Sequence, residues 1–424
     1  MRSSSIATLF ALLILQGCDN SPTQSTQETT VVPESAPAIT MDPEKALRLQ
    51  LLNAKPGDVI EIPAGTIAMT RSLILNEDGV TIRGAGMDKT ILSFKGQLAG
   101  AEGLLVNASD FTIEDIAIED ARGDALKINE GKNIIVRRVR TEWTNGPDTN
   151  NGAYGIYPVQ TENTLIEDSV AIAASDAGIY VGQSRNVIVR NNRAEFNVAG
   201  IEIENTISAD VYGNTAINNT GGILVFNMPD LPQPGYATRV YNNTISHNNT
   251  ANFAARGTAV AGVPAGSGIV INSNDQVEIF DNQISDNQTA NIIISSYFSV
   301  GEPISRKTAD AFDPYPESIF IYGNKFSGGG NKPDGAELDA LRIAVYGESG
   351  AFPNVLWDGV VNSEKSVDGV LNPEFAICLG DEDTGIINLD NGNDNKNLTS
   401  DGTNHKCTLE KLPAIQLGAL LSSS

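Results

Sequence analysis

The chain has 424 residues, with 28 Lys and Arg against 52 Asp and Glu for a net charge of −24, and only two histidines and three cysteines. So acidic a surface argues against nucleic acid as a partner and against adhesion to anionic lipid; a polyanionic glycan would need a locally basic groove or bridging cations. His247 stands in an Asn-rich stretch and His405 in the tail, which argues against a His-based metal site or catalytic triad.

Arg2, the apolar run from Ile6 to Leu15 and the sequence Leu15-Gln16-Gly17-Cys18 have the arrangement of a bacterial signal peptide. The apolar run is too short to span a membrane as a mature helix. The small residue before Cys18 resembles a lipobox, which implies cleavage before Cys18 and lipidation of its thiol, hence anchoring rather than spanning. Asp19 resembles the signal that keeps such lipoproteins on the periplasmic side of the inner membrane, with the outer membrane as the alternative. Residues 18–40, rich in Ser, Thr, Gln and Pro with no apolar period, are expected to form a flexible tether. Folded structure is expected to start near Met41, with residues 43–52 as a short capping helix, Asp42 as its N-cap and Pro43 at its first position.

Two segments then alternate along the chain. One opens with a β-branched residue and often ends in Asn, as in Val189-Arg190-Asn191-Asn192, with copies ending at Asn214, Asn243, Asn282 and Asn324; Ile113, Val136 and Ile166 open copies without the Asn. The other reads Gly-Ile-x-Val or a near variant and starts at Gly155, Gly178, Gly200, Gly222 and Gly268, with Ala125 and Asn291 opening looser copies. Ile166 to Gly178 is 12 residues and the next three steps are 11 each, so one coil takes 22 or 23 residues. A repeat of this length without a Leu ladder specifies an all-β fold: a right-handed single-stranded parallel β-helix (solenoid), each coil pairing with the next as parallel strands about 4.8 Å apart. The repeated Asn falls at one corner, where stacked amides can hydrogen-bond along the column.

The solenoid is expected over residues 41–330. Its exposed ends require caps: the helix at the N-terminus and an irregular cap or tail over residues 331–424, where the period is lost. Cys378 and Cys407 remain after lipidation. In an oxidising periplasm a disulfide between them is expected, worth roughly 3–4 kcal/mol in loop entropy, the alternative being two buried free thiols. Asp381-Glu382-Asp383, Asp390 and Asp394 offer oxygens to Ca2+ but lack EF-hand spacing, so a solvated loop is the plainer reading.

Departures from the 11/12 rhythm place four loops, at Trp143–Asn150, Asn227–Gly235, Thr250–Gly266 and Phe298–Pro316, that could wall a groove along the axis. Aligned coils put Lys127, Tyr157, Tyr180, Glu202 and Leu224 in one outward column. Tyrosines on a long flat face suit stacking against sugar rings, with Lys127 and Glu202 as flanking charges; an ordinary aromatic ladder is the competing structural reading. Trp143 and Tyr154 extend this substrate-binding set. Arg137, Arg138 and Arg140 resolve into columns of alternating sign, Glu114, Arg137, Glu167, Arg190 beside Asp115, Arg138, Asp168, Asn191. They read as cross-strand ion pairs rather than an anion site.

The phrase Ala54-Lys55-Pro56-Gly57-Asp58-Val59-Ile60-Glu61-Ile62-Pro63-Ala64-Gly65 and the repeats over roughly residues 45–325 resemble mannuronan C5-epimerases and polysaccharide lyases. Signal, repeats and Cys-containing tail together resemble a family of exported parallel β-helix repeat lipoproteins encoded beside a secreted c-type cytochrome-like protein, a resemblance that supplies no reaction. Where the epimerases carry Tyr-Gly-x-Asp-Pro-His-Glu, this chain has Tyr154-Gly155-Ile156-Tyr157-Pro158-Val159-Gln160, so the Asp and His are replaced. Loss of both groups argues against C5-epimerisation. A lyase could use Lys127 as base with Arg185 nearby. Two functions follow as expectations: binding of a uronic-acid or other polysaccharide with possible β-elimination, and a noncatalytic scaffold for an exported partner such as the cytochrome.

Overall fold

The computed structural model describes residues 41–300 and 312–418, so the signal segment, Cys18 and the tether lie outside the described residues. Asp42 caps the helix Pro43–Leu52 by accepting the Lys45 amide, and Leu47 and Leu51 of that helix cover the first coils of the core. Each following coil contains three strands, as in Ala177–Gly182, Arg185–Arg190 and Arg193–Glu195. The two short-corner strands of successive coils build one sheet (sheet 1), 19-stranded among the described residues; the Gly-Ile-x-Val strands build an 11-stranded sheet (sheet 2). Pairing between coils is parallel throughout, with Ile156, Ile179, Ile201, Ile223, Ile269 and Ile292 in one register column of sheet 2. All six are fully buried, because alternate side chains of every strand point into the coil and stack on their counterparts one coil away.

Sharp corners need a residue with positive φ, and one corner places Asp168, Asn191, Gly213, Asn242, Asp281 and Gly323 there, with φ between 51° and 66°. Asn, Asp and Gly tolerate this left-handed backbone at least cost. From Asn191 on, the next residue is the laddered Asn; after Asp168 it is Ser169, whose amide donates to Asn192 Oδ1. Each laddered Asn donates its backbone N–H and Nδ2 to Oδ1 of the Asn one coil on, in the series Asn192, Asn214, Asn243, Asn282, Asn324, at 2.9–3.0 Å. A second ladder, unread in the sequence although it repeats five residues after the first, joins Asn197, Asn219, Asn248 and Asn287 in the same way.

The outer side of sheet 1 is a ladder of charge that turns aromatic. Arg83, Glu114, Arg137, Glu167 and Arg190 follow one another in register, joined at 2.6 Å for Arg83–Glu114, 2.5 Å for Arg137–Glu167 and 2.5 Å for Arg190–Glu167. The same column continues as Tyr212, Tyr241, Phe280 and Tyr322, with successive rings stacked at 4.7–5.0 Å.

The parallel ladder runs past residue 330, where the sequence period stops. Val355–Trp357 and Ile386–Asn388 pair onto sheet 2, and Ile377–Leu379 pairs onto sheet 1. The helix Ala336–Tyr346 and the hairpin Ser366–Leu371, inserted between these rungs, break the 22-residue spacing and hide them from a periodicity search. Beyond the Cys378–Cys407 disulfide the tail turns back as a strap along sheet 1: Leu412 N–H donates to Glu278, Ile415 N–H to Asp210, and Leu417 packs on Leu165 and Ile188. Part of the outer side of sheet 1 is therefore covered by the chain itself.

Asn214→Ala removes the acceptor of the Asn192 amide and the donor to the Val189 carbonyl. With these buried partners left unpaired, a loss of roughly 2–4 kcal/mol in unfolding free energy is expected. Denaturant titration checks it; a loss below about 0.5 kcal/mol would mean that water replaces the ladder bonds.

Candidate functional site

Because sheet 1 is self-neutralised and strapped, the outer side of sheet 2 is the large face with chemistry left over. Its register column is Lys127, Tyr157, Tyr180, Glu202, Leu224, in the order expected from the sequence, and it continues as Val270, Ile293 and Leu356. All coils advance in the same direction, so segments entering sheet 2 strands line one edge of this face and segments leaving them line the other. The loops around Trp143–Asn150 and Thr250–Gly266 enter; Asn227–Gly235 and Phe298–Pro316 leave, the last with residues 301–311 outside the described residues. The described parts of these loops lie at the two edges of the face.

Tyr154, Tyr157 and Tyr180 form one cluster, with ring centroids 4.4, 4.6 and 4.9 Å apart, and Lys127 Nζ sits 4.9 Å from the Tyr157 ring and 3.8 Å from Asp124. Tyr180 lies flat along its own strand because the next outward residue is Gly182. A methyl group there would meet the Tyr180 ring at 2.3 Å. In that position its hydroxyl donates to Glu204 Oε1 at 2.6 Å and accepts from Gln183 Nε2 at 3.1 Å. Glu202 is 1 % exposed between Tyr180 and Leu224, and its Oε2 has no hydrogen-bond partner.

Four carboxyls therefore meet three phenols and one ammonium. Burial pushes Asp124 up to about 6, with Lys127 pulling against it, and pushes Asp176 up to about 7, reinforced by Glu204 and Asp124. Burial raises Glu202 well above the carboxylate range, with Asp176 and Glu204 adding to it; it raises Glu204 too, against the Tyr180 hydrogen bond. Tyr157 is pushed up to about 12 and Tyr154 and Tyr180 further, again by burial first and then by the surrounding acids. The phenols are consequently hydrogen-bond donors at neutral pH, and Asp124 and Asp176 exchange protons close to it. Perturbed acids grouped on one face are a mark of binding and acid–base sites.

The structure brings Lys127, Tyr154, Tyr157, Tyr180 and Glu202 together, with Tyr154 and Tyr157 half-buried at the surface and Tyr180 and Glu202 beneath them. Arg185 is exposed at the start of a sheet 1 strand, away from this group. Trp143 is buried in the core, its Nε1–H donating to the Ala121 carbonyl, so it anchors its loop and lends no surface to the face. The carboxyls of Asp124, Asp176 and Glu204 were unread in the sequence. Glu204 was findable, two residues beyond Glu202 on the same side of its strand; Asp124 and Asp176 sit in corners, where alternation gives no direction. Of the tail acids, Asp381 accepts the Gly323 amide and Asp390 those of its own loop.

Farther along, the face becomes an apolar cavity of about 540 Å³, floored by Phe226, Val270, Ile293 and Leu356 and walled by Val263 and Leu341. No helix among the described residues is long and apolar enough to cross a membrane.

Acids with raised folded pKa stabilise the fold fully below their unfolded value of about 3.8, and that contribution is lost as pH rises through about 6 to 7. Unfolding midpoints should therefore fall between about pH 4 and 7, and Asp176→Asn should flatten part of that fall. An unchanged slope in the variant would remove Asp176 from the titrating set.

The family model for the right-handed β-helix region matches residues 78–231 and 149–300. Among solved structures, the mannuronan C-5 epimerase AlgE4 A-module of Azotobacter vinelandii is 16 % identical at a TM-score of 0.48, covering 74 % of this chain and 87 % of that one. An alginate lyase from a Paenibacillus species is 17 % identical at 0.37, covering 68 % and 95 %. The tailspike protein of Escherichia coli bacteriophage HK620, a D339N mutant in complex with a pentasaccharide, is 12 % identical at 0.48, covering 75 % and 56 %. No curated protein matches the sequence. With the family model spanning more than half of the chain and parallel coils observed throughout that span, the protein belongs to the right-handed β-helix family.

Proposed function

We propose that this protein binds a polysaccharide along the outer face of sheet 2, with Tyr154 and Tyr157 as the platform for a sugar ring. The observation that carries the reading is the tyrosine–carboxyl cluster itself. Placing four acids, Asp176 and Glu202 buried and Asp124 and Glu204 partly so, beside three phenols costs stability, whereas aromatic faces with adjacent donors and acceptors suit the apolar and hydroxyl-bearing sides of a sugar. We further propose that Cys18 and the tether hold the β-helix on the periplasmic side of the inner membrane, where such a glycan is met.

Chemistry at this place, if a uronan is the ligand, would be β-elimination. A neutral Lys127 amine would take the C5 proton and become the ammonium while the C4–O4 bond breaks, and a tyrosine hydroxyl would protonate the departing O4. The surrounding acids oppose a uronate as they ionise. Uronan affinity is therefore expected to rise several-fold between pH 8 and pH 5.5, as Asp124 and Asp176 gain protons, while a neutral glycan should show little change.

Incubation with a panel of neutral and uronic-acid polysaccharides, with and without calcium, tests both parts by calorimetry and by ultraviolet absorbance of unsaturated products. Binding that weakens about tenfold or more in Tyr157→Ala, about 1.4 kcal/mol, is expected. Absorbance that rises and is abolished by Lys127→Ala would assign elimination. Binding indifferent to Tyr157→Ala would move the ligand off this face.

A further inference from the structure

A second acidic group lies where strands leave sheet 2. Asp275 opens the strand Asp275–Phe280, while Asp313 and Glu317 belong to the segment that returns from the Phe298–Pro316 loop. Carboxylate oxygens of all three lie within 4.8 Å of one another. Lys365 reaches in from beside the hairpin Ser366–Leu371, with Nζ 2.8 Å from Asp313 Oδ2 and 2.5 Å from Glu317 Oε2.

That ammonium leaves the group short in two ways. Glu317 is 1 % exposed, yet its second oxygen, Oε1, is buried with no hydrogen-bond partner. Three carboxyl groups share a single ammonium, so the group is short of positive charge. A buried carboxylate oxygen without a donor is rare in folded proteins, and an ion is one of the usual reasons for it. A doubly charged cation would both neutralise the group and occupy the free oxygen.

We propose that Asp275, Asp313 and Glu317 bind a divalent cation, in competition with the Lys365 ammonium. The donor set is anionic oxygen alone, with no imidazole or thiolate, which favours calcium over zinc or copper. Three carboxylates, some of them bidentate, supply most of the about 6–8 oxygens that calcium takes, and water supplies the rest. Lys365 can yield: its side chain is 27 % exposed, and its ammonium already lies 4.9 Å from the Phe375 ring, outside the acidic group. The ion would fasten the returning end of the loop, whose Asp313 carbonyl accepts from Asn227 Nδ2 of the neighbouring wall, to the coil beneath. The site is separate from the tyrosine face and stands whether or not that face binds glycan.

Terbium replaces calcium at oxygen sites and emits when a nearby tyrosine is excited. Tyr315 is placed for this, its backbone N–H donating to Asp313 Oδ1 at 3.1 Å. Titration of the full chain with Tb3+ should give saturable sensitised emission that calcium displaces. Glu317→Gln should weaken it at least tenfold, and Lys365→Met, which removes the competing ammonium, should tighten it several-fold. Tyr315→Phe should lose the emission yet keep the calcium-induced rise in melting temperature. Absence of saturable emission in both the parent and Lys365→Met, or equal affinity in the parent and Glu317→Gln, would overturn the site.

Discussion

The rest of the structure depends on the obligation of every coil to hand its backbone and buried amide hydrogen bonds to the next. A coil of 22 or 23 residues cannot satisfy its own N–H and C=O groups, so each strand's partners lie one coil away and each laddered Asn is complete only between two others. Register is fixed by this transfer. A slip of one residue would turn the inward isoleucines outward and break both Asn ladders at once.

Surface chemistry is then built by stacking. A side chain's neighbours are set less by the residues beside it than by those one coil before and after, which is why opposite charges on sheet 1 pair rung by rung and why its aromatic rings pile up at 4.7–5.0 Å. On sheet 2 the same rule gathers Lys127, Tyr157, Tyr180 and Glu202 from four coils into one column. Sheet 1 closes its charges against each other and under the tail strap; sheet 2 leaves acids short of partners, with loops at both edges. The contrast between the two faces, more than any single residue, is what supports the proposal of a ligand on sheet 2.

How far the sequence could be read follows from the same rule. Most of what repeats was legible: the coil length, the first Asn ladder, the order of the sheet 2 column and the alternating ion pairs, though not the second Asn ladder. The Cys378–Cys407 bond was legible because only two thiols remain after Cys18. Whatever depends on aperiodic chain folding back was not. The Thr250–Gly266 loop places Val260 and Val263 in one apolar cluster with Tyr180 and Leu224, so part of the column is buried, a burial that no spacing announces. Trp143 reads as a surface aromatic on a loop, yet a hydrogen bond to the Ala121 carbonyl and contact with the core turn it inward. The strap over sheet 1 and the rungs after residue 330 were hidden by the inserted helix and hairpin.

A crystal structure of the protein with an oligosaccharide of the polymer it binds best is the most direct test of the central claim. The account predicts a sugar ring against Tyr157 and Tyr154, with its hydroxyls on Lys127 or Asp124 and the chain running along the sheet 2 face. Sugar bound on sheet 1, or held only by the outer loops with the tyrosine cluster untouched, would contradict it.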